Sequence, residues 1–196
     1  MNMSKFAKTK GRTFVFLGIS GSGKGTQANF LLKALPRSRN ISTGDGLRTI
    51  SKGKNRVSLF VRDVLHRGGL SPLWAVAYVW LSEFVENLQG DENAIFDGAP
   101  RRVDEADLMD DFMGDVGREL PVAIYIKLSK REAFRRLIKR GRFDDNNKAI
   151  KERFKFFTKY VQPVIRYYQK RKRLVVVDGE QSIPDVWHDI KKALHF

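Results

Sequence analysis

Short apolar runs alternate along this chain with longer stretches in which apolar residues recur every three or four positions. The runs 13–17, 40–42, 94–97, 122–128 and 174–178 are rich in Val, Ile, Phe and Leu. Several are too continuous to have a wet face, which predicts a parallel sheet of five strands covered by helices on both sides. Helical spacing predicts helices over 24–35, 44–52, 56–67, 72–89, 104–113, 130–140, 147–170 and 183–195. Ser182 is a good N-cap for the last of these, with Pro184 in its first turn, and Pro163 should kink or interrupt the segment 147–170. One stretch breaks the alternation. Between the second and third strands lie three predicted helices (44–89), parted at Gly68-Gly69, which read as an inserted, separately mobile helical unit.

The first strand runs directly into Gly18-Ile19-Ser20-Gly21-Ser22-Gly23-Lys24-Gly25-Thr26 and then into a helix. Strand, glycine-rich loop and helix is the context a phosphate-binding loop requires. Glycines let successive backbone N–H groups converge on phosphate oxygens, the helix N-terminus adds partial positive charge, and Lys24 supplies a point charge for the outer phosphates. The hydroxyl arrives one residue later than in the standard pattern, at Thr26, because Gly25 follows the lysine. The chain reads as a nucleotide-binding α/β domain.

Composition narrows the picture. The 196 residues fit one domain, 13–196, behind a basic extension, 1–12, that has no apolar core and so is not a secretory signal. No apolar run approaches the ~20 residues that cross a bilayer. The absence of cysteine excludes disulfides and cysteine-ligated zinc, and a cytoplasmic setting is expected. A net charge of +15, from 37 Lys and Arg against 22 Asp and Glu, suits polyanionic partners. Asp97 ends an apolar run, where a carboxylate can hold Mg²⁺ through water. Arg48, Arg101, Arg140, Arg142 and Arg153 offer planar forks for two phosphate-bearing substrates. His66, His188 and His195 lie outside every motif and read as structural.

Four blocks, in order, resemble the adenylate kinases: Gly23-Lys24-Gly25-Thr26, Ile41 to Arg48, Asp97-Gly98-Ala99-Pro100-Arg101, and Gly141 to Asn146. The likeness runs over roughly 13–195. It implies a P-loop fold with a helical monophosphate-binding insertion at about 43–89 and a lid at about 140–146. It also implies reversible transfer of the γ-phosphoryl of Mg·ATP to AMP, giving two ADP. By that resemblance Gly18, Ser20, Gly21, Ser22, Gly23, Lys24, Gly25 and Thr26 cradle the ATP phosphates, while Arg136 and the backbone near Gln181 meet its base. Thr43, Gly44, Arg48, Leu70, Gly98, Arg101 and Glu105 belong to the AMP site, which Arg142 and Arg153 also reach. Arg101, Arg140, Arg142 and Arg153 act with Lys24 on the phosphoryl in flight, and Asp45, Asp144 and Asp145 orient them. Asp97 and Thr26 serve Mg²⁺; no zinc and no oligomer is expected.

Three departures from the family's pattern stand out. Ser20 replaces a usual proline. The lid is reduced to Gly141 between two arginines, so the helical insertion is expected to help enclose substrate, with some ATP lost to water. Glu105 replaces a usual glutamine; a carboxylate facing the base would suit guanine better than adenine, which leaves GMP or CMP as alternative acceptors, unless Glu105 turns to Arg102 or is protonated. A different reading, a basic nucleotide switch that binds RNA, rests on the Lys and Arg interleaved with Phe154, Phe156, Phe157, Tyr160, Tyr167 and Tyr168. Those aromatics recur at helical spacing and fit a core face better, so nucleic-acid binding is expected at most as a secondary electrostatic property.

Overall fold

The computed structural model describes residues 11–67, 69–141 and 145–195. Five parallel strands form one sheet in the order β2-β3-β1-β4-β5: β1 Thr13–Leu17, β2 Ser38–Ser42, β3 Asn93–Asp97, β4 Val122–Lys127 and β5 Leu174–Asp178. Alternation along β1 sends Phe14 and Phe16 to one face and Val15 and Leu17 to the other, and each face has its own apolar layer. On the first face Phe14, Phe16, Ile95 and Ile124 meet α1 (Lys24–Ala34) and α9 (Ile183–Leu194). Ser182 caps α9 by accepting the Asp185 N–H, with Pro184 in its first turn, as the sequence predicts. On the second face Val15, Phe96 and Ala123 meet α4 (Leu73–Asn87), α5 (Val103–Asp115) and α8 (Gln162–Lys170).

The expected three-helix insertion forms as α2 (Thr43–Ser51), α3 (Arg56–His66) and α4. It is not a detached unit, however. Trp80 of α4 is fully buried and meets Phe96 and Phe112 edge-on, with ring centroids 6.2 and 5.2 Å apart. α4 is therefore part of the sheet's covering layer, to which α2 and α3 add Leu47 and Val61. A helix spacing shows which face is apolar but not what that face meets, so the anchoring of α4 could not be read from the chain.

The segment 147–170 is interrupted, one turn earlier than Pro163 itself. α7 (Asn147–Phe156) passes into a π turn, Phe157–Val161, and then into α8, with Pro163 in its first turn. A proline ring collides with the carbonyl four residues before it, and widening the preceding turn relieves that contact. β2 begins two residues earlier than predicted, because Ser38 and Arg39 pair with β3 at the sheet's edge, where polar side chains are free to face water. The remaining helix is α6, Lys130–Arg140, capped by Ser129. No helix among the described residues is long and apolar enough to cross a membrane.

Candidate active site

The sheet's register places the site. Phe16 of β1 pairs with Asp97 of β3, and Ser42 of β2 pairs with the same residue. The loops leaving β1, β2 and β3 therefore rise side by side at the carboxyl edge of the sheet, where open α/β sheets bind ligands. Gly23 caps α1 with φ +94°, a left-handed conformation that a side chain would strain, and so turns the loop into the helix. Inside the loop the Ser22 N–H donates to the Ile19 carbonyl at 3.1 Å. The buried Ser22 Oγ has no partner among the described residues. Lys24 folds back over the loop, its Nζ donating to the carbonyls of Gly18 (2.9 Å) and Ile19 (3.1 Å).

Asp97 lies against this loop: a Cβ built on Gly25 would stand 3.1 Å from its Oδ2. Thr26, next in sequence, is exposed. One carboxylate and one hydroxyl suit Mg²⁺, a hard cation that keeps waters and substrate oxygens in most of its positions. No group of three or more acidic, His or Cys side chains among the described residues could hold a metal ion. Gly98 follows with φ +102°, and a Cβ there would meet Thr43 Oγ1 at 2.8 Å and Arg101 Nη2 at 3.4 Å. That close approach brings Thr43, Gly44, Gly98 and Arg101 together. The guanidinium of Arg48 folds over Gly44 and pairs with Asp45 one turn away.

Lys24 is half-buried and Arg101 exposed, although protein atoms crowd both side chains. Burial pulls the Lys24 ammonium down to about 8; Asp97 opposes the shift, and Arg101 and Arg140 add to it. Burial also draws the Arg101 guanidinium below its ordinary value, against Glu105 and Asp97. A cationic cleft short of anions is a site that gains by taking up phosphate.

The opposite wall is built on one carboxylate. Asp145 has a side chain with no exposed surface and receives both Nε and Nη2 of Arg140 at 2.8 Å, a two-pronged grip. Its Oδ1 also takes Nη1 of Arg153 from α7 at 2.9 Å. α6 ends at Gly141, a left-handed C-cap with φ +63°. One turn earlier on the same helix Arg136 donates to the Gly179 carbonyl (2.9 Å) and to Glu132 (2.7 Å). Gln181, on the turn after β5, is held by Asp189 at 2.8 Å.

With this geometry in view, the comparisons decide the lineage. The family model described as adenylate kinase matches residues 16–173. An adenylate kinase of Thermus thermophilus is 31% identical over 188 residues, covering 94% of this chain and 97% of its own. Adenylate kinase 1 of a Nostoc species is 31% identical over 92% of this chain and 97% of its own. The adenylate kinase of Nitrobacter winogradskyi is 32% identical, with 92% and 91% covered.

This chain belongs to the adenylate kinase family.

Within the family frame, the structure brings together Lys24, Asp97, Thr43, Gly44, Gly98 and Arg101 around the loop, and Arg140 and Arg153 on Asp145. Leu70 is half-buried in the connection between α3 and α4. Arg142 and Asp144, within the short lid, lie outside the described residues. Glu105 differs from both expected poses. It is 1% exposed, and its Oε2 accepts the backbone N–H of Arg101 at 2.6 Å, while Oε1 has no partner among the described residues. Arg102 pairs with Asp104 instead. Glu105 is the third residue of α5, where a glutamate side chain reaches back to a free N–H before the helix, and this signal was present in the sequence. Burial pushes its carboxyl up, with the Arg101 N–H and guanidinium opposing.

Proposed function

We propose that this chain catalyses reversible transfer of the γ-phosphoryl group of ATP to AMP, with Mg²⁺, giving two ADP. The observation that carries the reading is the convergence of Lys24, Arg101, Arg140 and Arg153 on one cleft at the carboxyl edge of the sheet, with Asp97 beside the loop. Membership of the family supports it.

In this mechanism the loop from Gly18 to Thr26 holds the phosphates of ATP with its backbone N–H groups, and Ser22 Oγ is free to take a phosphate oxygen. Lys24 leaves the carbonyls of Gly18 and Ile19 for the outer phosphates. Thr43, Gly44, Arg48, Gly98 and Arg101 receive AMP, so that its phosphate oxygen lies in line with the transferring group. That oxygen is already anionic, and no general base is required; alignment and charge neutralisation supply the rate. Arg140 and Arg153 face the group in flight, held at fixed spacing by Asp145. Arg142 joins them from the lid and Asp144 helps to orient them. Arg136 and Gln181 border the ATP base. Asp97 and Thr26 would hold Mg²⁺, which would supply positive charge against that of the transferring phosphates.

Glu105 enters as a positioning residue: by holding the N–H of Arg101 it fixes the loop from which that guanidinium rises. The test is initial-rate formation of diphosphate from Mg·ATP with AMP, GMP, CMP or UMP, each beside a blank without acceptor. Preferred transfer to AMP supports the reading. A blank rate well above background would reveal water reaching the phosphoryl past the minimal lid, and phosphate release without any transfer would refute the kinase reading.

A further inference from the structure

Away from the cleft, the chain carries a second cationic feature that the proposed transfer does not use. Lys130 at the start of α6, Lys151 and Lys155 of α7, and Thr158 and Lys159 of the π turn surround an open groove of about 520 Å³, with Phe154 in its wall. That volume lies within the ~300–1,000 Å³ of small-ligand sites. Successive residues of a helix are about 100° apart, so Lys151 and Lys155 stand some 200° from Arg153 and face away from Asp145. The groove is thus on the outer side of the helix whose inner side lines the active site.

Three features give its ligand a chemistry. Of the four lysines, only Lys155 has a carboxylate partner, Glu152 at 2.7 Å; Lys130, Lys151 and Lys159 have no ion pair with any described residue. The lining is mostly carbon, from the half-buried Phe154 ring and the lysine stems, with the ammonium groups at the rim. No arginine lines it. Carboxylates are best met by arginine forks, whereas lysines are point charges that suit a run of phosphates. An aromatic wall with a cationic rim matches an unpaired base packed on carbon and flanked by its phosphodiesters. The π turn contributes directly, since it places Thr158 and Lys159 on the groove.

We propose that the groove between α6 and α7 binds single-stranded nucleic acid, with Lys130, Lys151, Lys155 and Lys159 on the phosphates and the exposed part of Phe154 against a base. Of the other aromatics of the segment, Phe157, Tyr167 and Tyr168 are buried in the core as their helical spacing predicts, whereas Phe156 and Tyr160 are only half-buried and do not line the groove.

The test is fluorescence anisotropy of a labelled oligouridylate of about ten nucleotides, titrated with full-length protein between about 50 and 200 mM salt. Three proteins are compared: wild type; K130A/K151A/K155A/K159A; and K33A/R39A/K170A/K192A, which removes the same charge from exposed positions elsewhere. The groove variant is expected to bind at least roughly ten-fold more weakly at the low salt. Its slope of log K against log salt should shrink by about 2–3, at ~0.7 for each phosphate that is no longer neutralised. The slope of the control variant should shrink by less than about 1, and kinase turnover should be unchanged in both. Equal weakening in the two variants would show diffuse attraction to a basic surface and overturn the site. Equal affinity for duplex, for inorganic polyphosphate or for anionic vesicles would overturn it as well, since none of these offers an unpaired base.

Discussion

Two arginine–aspartate arrangements border the same cleft and differ in almost everything but chemistry. Asp145 has no exposed surface and anchors both Arg140 and Arg153, whose side chains are 36% and 21% exposed. Asp45 and Arg48, on α2, are 71% and 58% exposed. A buried carboxylate bonded on both oxygens fixes its guanidiniums before any substrate arrives, and it cannot be removed without leaving charges stranded. An exposed pair one turn apart contributes little, so an incoming phosphate can take the arginine at small cost. The wall expected to meet the transferring group is thus pre-organised, while the wall expected to receive AMP is free to adjust.

The strongest way to break this contrast is Asp145→Ala. Two arginines lose their shared anchor, and unfolding free energy should fall by about 3–5 kcal/mol in a denaturant titration. Turnover should drop on the order of 10²–10³-fold. Lys24→Met should lower kcat/KM for ATP by about 10²-fold, because it removes a charge that the transition state needs. The same lysine gives a pH test. Its ammonium is charged below about 8 and loses its proton above it, so kcat/KM for ATP should be level up to that pH and decline beyond it. Arg48→Lys should raise KM for AMP by only about three- to ten-fold and leave KM for ATP unchanged, as suits an adaptable wall. The smallest effect is expected from Glu105→Gln, whose amide oxygen can still accept the Arg101 N–H: stability and base preference should both hold. Glu105→Ala, which strands that N–H, should lose about 1–3 kcal/mol in the same titration.

Much of the fold was legible because its signals are local. Five apolar runs became five strands, and Ser182 with Pro184 began α9 as read. Pro163 marked a break in the long helix, although the chain accommodates it in the preceding π turn. The neighbours of Trp80 were not legible, since one apolar stripe looks the same against a sheet or against two other helices. The site divides along the same line. The glycine-rich loop and the apolar run ending at Asp97 are contiguous in sequence and could be read directly. The sharing of Asp145 between Arg140 and Arg153 was suggested by family likeness, but its burial, which gives it force, depends on packing. The residue type of Glu105 alone points to a base edge or to Arg102; its bond to the Arg101 N–H follows from its place in the first turn of α5.

Phosphoryl transfer between ATP and AMP should depend on the pre-organised wall. The most direct test is steady-state ADP formation from Mg·ATP and AMP by the wild type and Asp145→Asn, with both KM values determined. Ready transfer is expected of the wild type, and in the variant a kcat lower by on the order of 10²-fold with each KM within about three-fold of wild type. An inactive wild type, or a variant with unchanged kcat, would contradict that expectation.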